Sequence, residues 1–390
     1  MSEQTTRREF LKDTGLVAGA IGVLNPMQAL AEAQTRATIK YPDGGAEHCI
    51  FIWLGGGAAQ IDMWDPKRVG DPKAKKAGSA YPAIDTAIPG VQITEHLGQC
   101  AKILDRFCLL RTVNHDTKDE HAAATNRMHT GRPVSGTIVY PSIGSIVANQ
   151  RGKVTKGMPA YVVMGYPNLT RGPGFLGAQD GYIYLIDTEA GPAGLRRPSG
   201  ISDTRQTRRE QLLSELRSGF RQRTSTDPAV KNYDSVIEEA FALGRGEFMN
   251  AFQLTNESGG LRESYGGEFG QRCLLARRLV QRGVRFIEVS FNLNFINGTG
   301  WDTHNEGQEK QHILIRQLDQ ALASLVLDLE KHKLFDKTLV VVATEFGRPA
   351  QFDDGGGRGH HSGSFSVVTA GGGLKNGQAV GVTKIGRAHV

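Results

Sequence analysis

"HCIFIWLGGG" (residues 48–57) decides the class of fold. A near-continuous apolar run ends in three glycines. The run is short for a buried helix and suits a strand covered on both faces, as in a parallel sheet. The glycines allow a tight turn behind it. Five further stretches share this character: "FCLLRTV" (107–113), "AYVVMG" (160–165), "VRFIEVSF" (284–291), "TLVVVAT" (338–344) and "SFSVVTAG" (364–371). Between them, "QTRREQLLSELRSGFRQR" and "DPAVKNYDSVIEEAFALG" repeat apolar residues three and four apart, as helices do. "GQRCLLARRLVQRG" reads as a helix closed by Gly283, and a long amphipathic stretch feeds the strand at 338. The alternation predicts an α/β fold with a mostly parallel central sheet and helices on both faces. Residues 165–205, rich in Gly and Pro, read as a surface excursion.

Composition narrows the function. In 390 residues, 39% are hydrophobic and 22% charged, which fits a soluble globular chain. The net charge of +6 is dispersed, and clusters such as "RQTRRE" read as solvated helix faces. Nucleic-acid binding needs a concentrated basic stripe and is excluded as an expectation. Cys49, Cys100, Cys108 and Cys273 lack CxxC spacing, so buried thiols or one disulfide both stand.

The termini carry their own signals. Arg7 and Arg8 precede Phe10, Leu11 and Lys12, an apolar run from Gly15 to Leu24, and Ala29-Leu30-Ala31. This order reads as a twin-arginine signal peptide over 1–31, with export to the periplasm through the twin-arginine translocation machinery. The apolar run is too short to span a bilayer, so no transmembrane segment is expected after signal removal. Residues 32–47 read as an exposed leader and 48–384 as a single α/β domain. "IGRAHV" (385–390) reads as a translated sequencing adapter, which would leave the domain truncated.

Open α/β sheets bind ligands beyond the carboxyl ends of their strands. Six of the 11 histidines (115, 121, 129, 304, 360 and 361) fall just after expected strands, together with Asp62, Asp302 and Glu345. Asp62 in "DMWDPK" is a turn residue or a ligand. "WDTH" places Asp302 and His304 two apart, suited either to one cation or to capping the helix that follows. "GRGHHSG" sets His360 and His361 among glycines, with little core to pack against. Glu345 is a ligand or an ion-pair partner of Arg348, and His129 is more structural than His121.

"GGGAAQIDMWDPK", "HAAATNRMHTGR", "FGQRCLLARRLVQRGVRFIEV", "GWDTHNEG", "TLVVVATEFGRP" and "GRGHHSGSFSVVTAGGGLKNGQAVG" together resemble an exported bacterial family, domain of unknown function 1501, over about residues 45–383. That family is considered a distant relative of the alkaline phosphatase and sulfatase superfamily. The resemblance implies an alkaline-phosphatase-like core. The superfamily hydrolyses phosphate or sulfate esters with metal ions and a nucleophile. Here the nucleophile position, nine before Thr130, holds His121, and the position of a sulfatase arginine holds Thr125. Gly55 and Gly56 stand where paired aspartates usually end the first strand, and Glu345-Phe346 replaces the usual Asp-His.

These departures leave two expectations. One is metal-dependent ester hydrolysis without a Ser or Cys nucleophile. Its divalent ion (Zn, Mn, Mg or Ca) would take ligands from Asp62, Asp302, His304, Glu345 and His360. His121 and His361 would serve as acid–base groups, and Arg348 and Arg358 would bind an anionic small-molecule or polysaccharide substrate. The other is a non-catalytic periplasmic binding or scaffold protein that keeps the fold.

Overall fold

The computed structural model describes residues 44–390 apart from 156, 167, 197–199, 225, 246, 292–299, 305–306, 386 and 390. The signal segment and residues 32–43 of the leader lie outside the described residues. Gly44, Gly45 and Glu47 are exposed.

Eight strands form the central sheet: β1 (His48–Trp53), β2 (Phe107–Val113), β3 (Tyr161–Met164), β4 (Ile183–Leu185), β5 (Phe286–Ser290), β6 (Thr338–Ala343), β7 (Phe365–Gly371) and β8 (Gln378–Val380). Their order is β8-β2-β7-β6-β1-β5-β3-β4. β1 pairs in parallel with β5 and β6, which sets Ile50 opposite both Ile287 and Val340. Only β7 runs against its neighbours β2 and β6. The loop from β6 to β7 (344–364) contains no helix, so the chain turns back beside the strand it has left. A parallel crossover would carry the chain to the other end of the sheet. The whole loop therefore stays at the carboxyl edge of β6.

All six expected strands are present. β4 and β8, three residues each, are too short to show periodicity, and β4 lies inside the 165–205 excursion. The longer helices are α1 (His121–Thr130), α2 (Ile143–Arg151), α3 (Asp203–Arg223), α4 (Pro228–Arg245), α5 (Glu268–Gln281) and α6 (Gly307–Lys331). No described helix is long and apolar enough to cross a membrane. All four cysteines are free, and Cys100, Cys108 and Cys273 are buried.

Both sheet faces are covered, as the unbroken apolar strands require. Ile50, Ile52, Ile287 and Val289 face a large core with Leu274 and Leu275 of α5 and Leu318 and Leu322 of α6. Phe51, Trp53, Tyr161, Val163 and Phe286 face a smaller one, against Met128 of α1 and Ala148 of α2.

α1 positions the site. Glu120 caps its start by accepting from the Ala122 N–H at 2.9 Å and from Ala123. Gly131 ends it in the left-handed region, at φ 68°. Near that end, buried His129 donates Nδ1–H to the Thr125 carbonyl, packs on Trp53 at 4.4 Å between ring centroids, and sets Nε2 3.4 Å from Glu288. Glu288 is a carboxylate in the middle of β5, fully buried. It accepts from Arg171 Nε at 2.7 Å and from the Tyr161 hydroxyl at 3.4 Å. Burial opposes its charge, yet the Arg171 guanidinium and the His129 ring hold its pKa at about 2. With its last turn fixed to the sheet, α1 carries His121, its first residue, out to the carboxyl edge.

The depressed pKa of Glu288 ties stability to pH. Its contribution is complete above the ordinary glutamate value of 4.5 and is lost as pH falls toward about 2. Glu288→Gln leaves Arg171 buried without its counter-charge and costs about 3–5 kcal/mol at neutral pH. Chemical denaturation at neutral and acid pH tests this. The variant is less stable at pH 7 and has a flatter acid limb than the wild type.

Candidate functional site

Four strand-end segments converge at the carboxyl edge. The loop after β1 brings Gly56, the segment after β2 brings His121, the segment after β5 brings Asp302 and His304, and the β6–β7 loop brings Glu345 and His360. His121 Nε2 lies 3.1 Å from His360 Nε2 and 3.5 Å from Asp302 Oδ2. His304 Nε2 lies 3.1 Å from His360 Nε2 and 3.1 Å from Asp302 Oδ1, and His360 Nε2 is 3.7 Å from the same oxygen.

Glu345 stands behind this cluster. Only 2% exposed, its carboxylate accepts from the Gly56 N–H at 2.8 Å and from His121 Nδ1 at 2.7 Å. His121 thus donates Nδ1–H to Glu345 and turns Nε2 toward Asp302 and His360. His115 supports Glu345 from the chain side. The Thr117 N–H donates to His115 Nδ1, so Nε2–H donates to the Glu345 carbonyl. The Phe346 ring packs on His121 and His360, 4.7 and 4.6 Å between centroids, and walls one side.

The arginines serve the scaffold. Arg348 is fully buried. It donates Nε–H to the Gly57 carbonyl and Nη1–H to the Arg358 carbonyl, both at 2.8 Å, and Nη2–H to the Gly56 carbonyl and to Asp302. Arg358 holds Asp62 through two bonds, at 2.8 and 3.0 Å, and donates also to the Gly78, Pro349 and Ala350 carbonyls. Asp62 further accepts from Gln308 at 2.7 Å and from the Ala80 N–H at 2.6 Å.

The structure thus brings His121, Asp302, His304 and His360 together. It sets Glu345 one layer behind as the group that orients His121. Asp62 and Arg358, expected as a metal ligand and a substrate anchor, are both fully buried and paired with each other. Arg348 is likewise consumed by carbonyls and Asp302 and has no surface to offer a substrate. His361 alternates to the far side of its extended segment. There it bonds by its backbone to Gly347 and lines a cavity of about 310 Å³ with Gln60, Asp65 and Ser364. That orientation removes it from acid–base work at the cluster.

The loop after β1 contributes backbone groups to the site. At Gly56, φ is +123°, and a Cβ would meet the Asp302 nitrogen at 2.5 Å. At Gly57, φ is +76°, and a Cβ would enter the Phe346 ring. Glycine lets this loop lie against the Asp302 segment, so Gly56 gives its N–H to Glu345 and its carbonyl to Arg348.

The electrostatics favour a cation. Burial works against ionising Asp302, but hydrogen bonds from His121 and Arg348 hold its carboxyl well below the usual carboxylate range. Burial also lowers His121, but Asp302 and Glu345 outweigh it and push the ring up to about 9. His360 is shifted down, first by burial and then by the positive charges of Arg348 and His121. Two imidazole Nε2 atoms 3.1 Å apart need a proton or a cation between them, because two lone pairs repel. His121, Asp302 and His360 form the one group of metal-type donors close enough to share an ion among the described residues. His304 stands within 3.1 Å of two of them.

The donor set also fits by distance. Four ligands at metal bonds of 2.0–2.1 Å in a tetrahedron stand about 3.4 Å apart. The separations within the His121, Asp302 and His360 group, and from His304 to Asp302 and His360, run from 3.1 to 3.7 Å. Sequence reading missed the parts played by Gly56 and His115. His115 was visible as a strand-end histidine, but nothing in the sequence marks a bond to the backbone of Glu345.

No curated protein matches the chain. Among solved structures, it is similar to the lipoteichoic acid synthase LtaP from Listeria monocytogenes, at 9% identity and a TM-score of 0.38, covering 86% of this chain and 68% of that one. It is similar to the PsFucS1 sulfatase from Pseudoalteromonas sp., at 10% identity and a TM-score of 0.37, covering 90% of this chain and 66% of that one. A third similarity is to the alkaline phosphatase from the Antarctic bacterium TAB5, at 12% identity and a TM-score of 0.31, covering 87% and 95%. The family described as "Protein of unknown function (DUF1501)" matches residues 46–389, nearly all of the described chain. The chain belongs to the DUF1501 family.

Proposed function

We propose that this protein is an exported, metal-dependent hydrolase of an anionic ester, a phosphate or a sulfate, that works without a Ser or Cys nucleophile. The observation that carries the reading is the grouping of His121, Asp302 and His360 closely enough to share one ion, with His304 Nε2 3.1 Å from both His360 Nε2 and Asp302 Oδ1. His121, Asp302, His304 and His360 would hold the ion. Three nitrogens and one carboxylate suit Zn or Mn better than Mg or Ca, which prefer oxygen shells. A divalent ion in such a site supplies Lewis acidity and lowers the pKa of a bound water.

The chain's own groups have defined parts. Glu345 fixes the tautomer and orientation of His121, as a carboxylate behind a ligating histidine does. Arg348 keeps Asp302 ionised and in place. Phe346 excludes water from one side of the two rings. The His304 side chain is 43% exposed, so the open side of the cluster lies there. In the reaction, a water oxygen would bond to phosphorus or sulfur as it gives up a proton, the ester bond would break, and the leaving oxygen would take up that proton. The implied substrate is negatively charged, and the net positive charge of +6 suits its approach.

Two predictions follow from this division of labour. Elemental analysis of the purified protein gives about one equivalent of Zn or Mn, and His304→Ala lowers both metal retention and turnover on a panel of aryl phosphates and sulfates. If wild type and His304→Ala are alike on the panel while both fold, the protein is a binding or scaffold member of its family. Separately, Glu345→Gln weakens metal binding about 10–100-fold, measured by chelator competition. Asp62→Asn instead lowers stability by about 3–5 kcal/mol and leaves metal stoichiometry unchanged.

A further inference from the structure

α3 is turned the opposite way from an ordinary surface helix. Its polar face meets α4: Arg221 bonds Asp234 and Glu238, both at 2.6 Å, and Arg217 pairs with the same two carboxylates. No described residue of α3 is buried. Its apolar side chains lie on the outward face. Leu216 is 72% exposed, Leu212 57% and Phe220 51%, at successive spacings of four, with Leu213 beside them. At 100° per residue the exposed Arg205, Arg209 and Arg223 fall on this same outward side, and Arg208 at its edge. None of these four arginines carries an ion pair with another described residue. The acidic residues Asp203 and Glu210 fall on the side toward α4, and Glu215 lies at the flank.

We infer that this face of α3 docks the protein on an anionic lipid surface, with the leucines and Phe220 at the headgroup–acyl boundary and the arginines on lipid phosphates. Charge selects this occupant. A second copy of the chain would set arginines against arginines across a two-fold interface, a like-charge contact that disfavours self-pairing. An anionic surface satisfies all four, and long arginine stems keep their charged heads in the polar layer while neighbouring leucines go deeper. α3 is too polar to span, so the contact is peripheral. This inference is independent of the metal cluster, which lies at the sheet's carboxyl edge.

The test is co-sedimentation of the full chain with vesicles. Binding is expected to vesicles of equal parts phosphatidylglycerol and phosphatidylcholine, to fall with added salt, and to be absent with phosphatidylcholine alone. Each arginine near an anionic surface is worth about fivefold. Arg205→Gln/Arg208→Gln/Arg209→Gln then binds about 100-fold more weakly. Leu212→Gln/Leu216→Gln/Phe220→Gln loses binding at unchanged helix content by circular dichroism, since these side chains are already exposed. No sedimentation with either vesicle, equal binding to both, or variants that bind like the wild type would overturn the inference. So would a concentration-dependent dimer in analytical ultracentrifugation that Leu216→Gln abolishes, because it assigns the face to a second copy.

Discussion

The bond between Glu345 and His121 is the constraint on which the site depends. Glu345 lies two residues past the end of a central strand and is buried, where an unpartnered carboxylate is costly. Its bonds to the Gly56 N–H and His121 Nδ1 offset that cost. They also tie three separate segments to one point. The carboxylate accepts from His121 Nδ1, and so fixes which nitrogen faces Asp302 and His360. A single buried group thereby couples the loop after β1, the start of α1 and the β6–β7 loop.

The arginines around it show how a positively charged interior is kept from collapsing the site. Arg348 and Arg358 are fully buried, and each spends its donors on backbone carbonyls and one carboxylate. Arg358 with Asp62 joins the β1 loop to the far part of the β6–β7 loop. Arg348 with Asp302 joins the loops after β6 and β5. A planar five-donor fork suits this bracing, where a lysine would reach fewer partners. On the other sheet face, Arg171 and Glu288 perform a comparable task beneath α1, holding the helix whose first residue is His121. Rigid support on both sides leaves His121, Asp302 and His360 grouped closely enough to share one ion, with His304 beside them on the accessible side.

Much of the fold was legible because its signals are local. Six strands showed as apolar runs, and four helices as three-and-four spacings. The strand-end positions of His121, Asp302, His304 and His360 were readable too, since a parallel α/β sheet gathers such loops at one edge. Direction and partnership were not. The antiparallel return of β7 depends on a connecting loop that has no crossover. His360 and His361 are adjacent in sequence, yet an extended backbone points them to opposite sides. Arg348 and Arg358 read as substrate anchors because they are charged and lie in a site loop; their carbonyl partners come partly from that loop and partly from Gly56, Gly57 and Gly78, hundreds of residues away. Asp62 read as a ligand for the same reason.

The sequence by itself determined the family, the strand and helix alternation, and the loops that carry imidazoles and carboxylates, because all of these rest on composition and short-range spacing. Tertiary structure alone decided which of those groups face a common point and which are consumed in bracing. Hydrogen-bond partners across 200 to 300 residues are fixed by strand order and burial, and no local pattern encodes them. It also decided that the apolar stripe of α3 faces outward, because Arg217 and Arg221 find their counter-charges on α4.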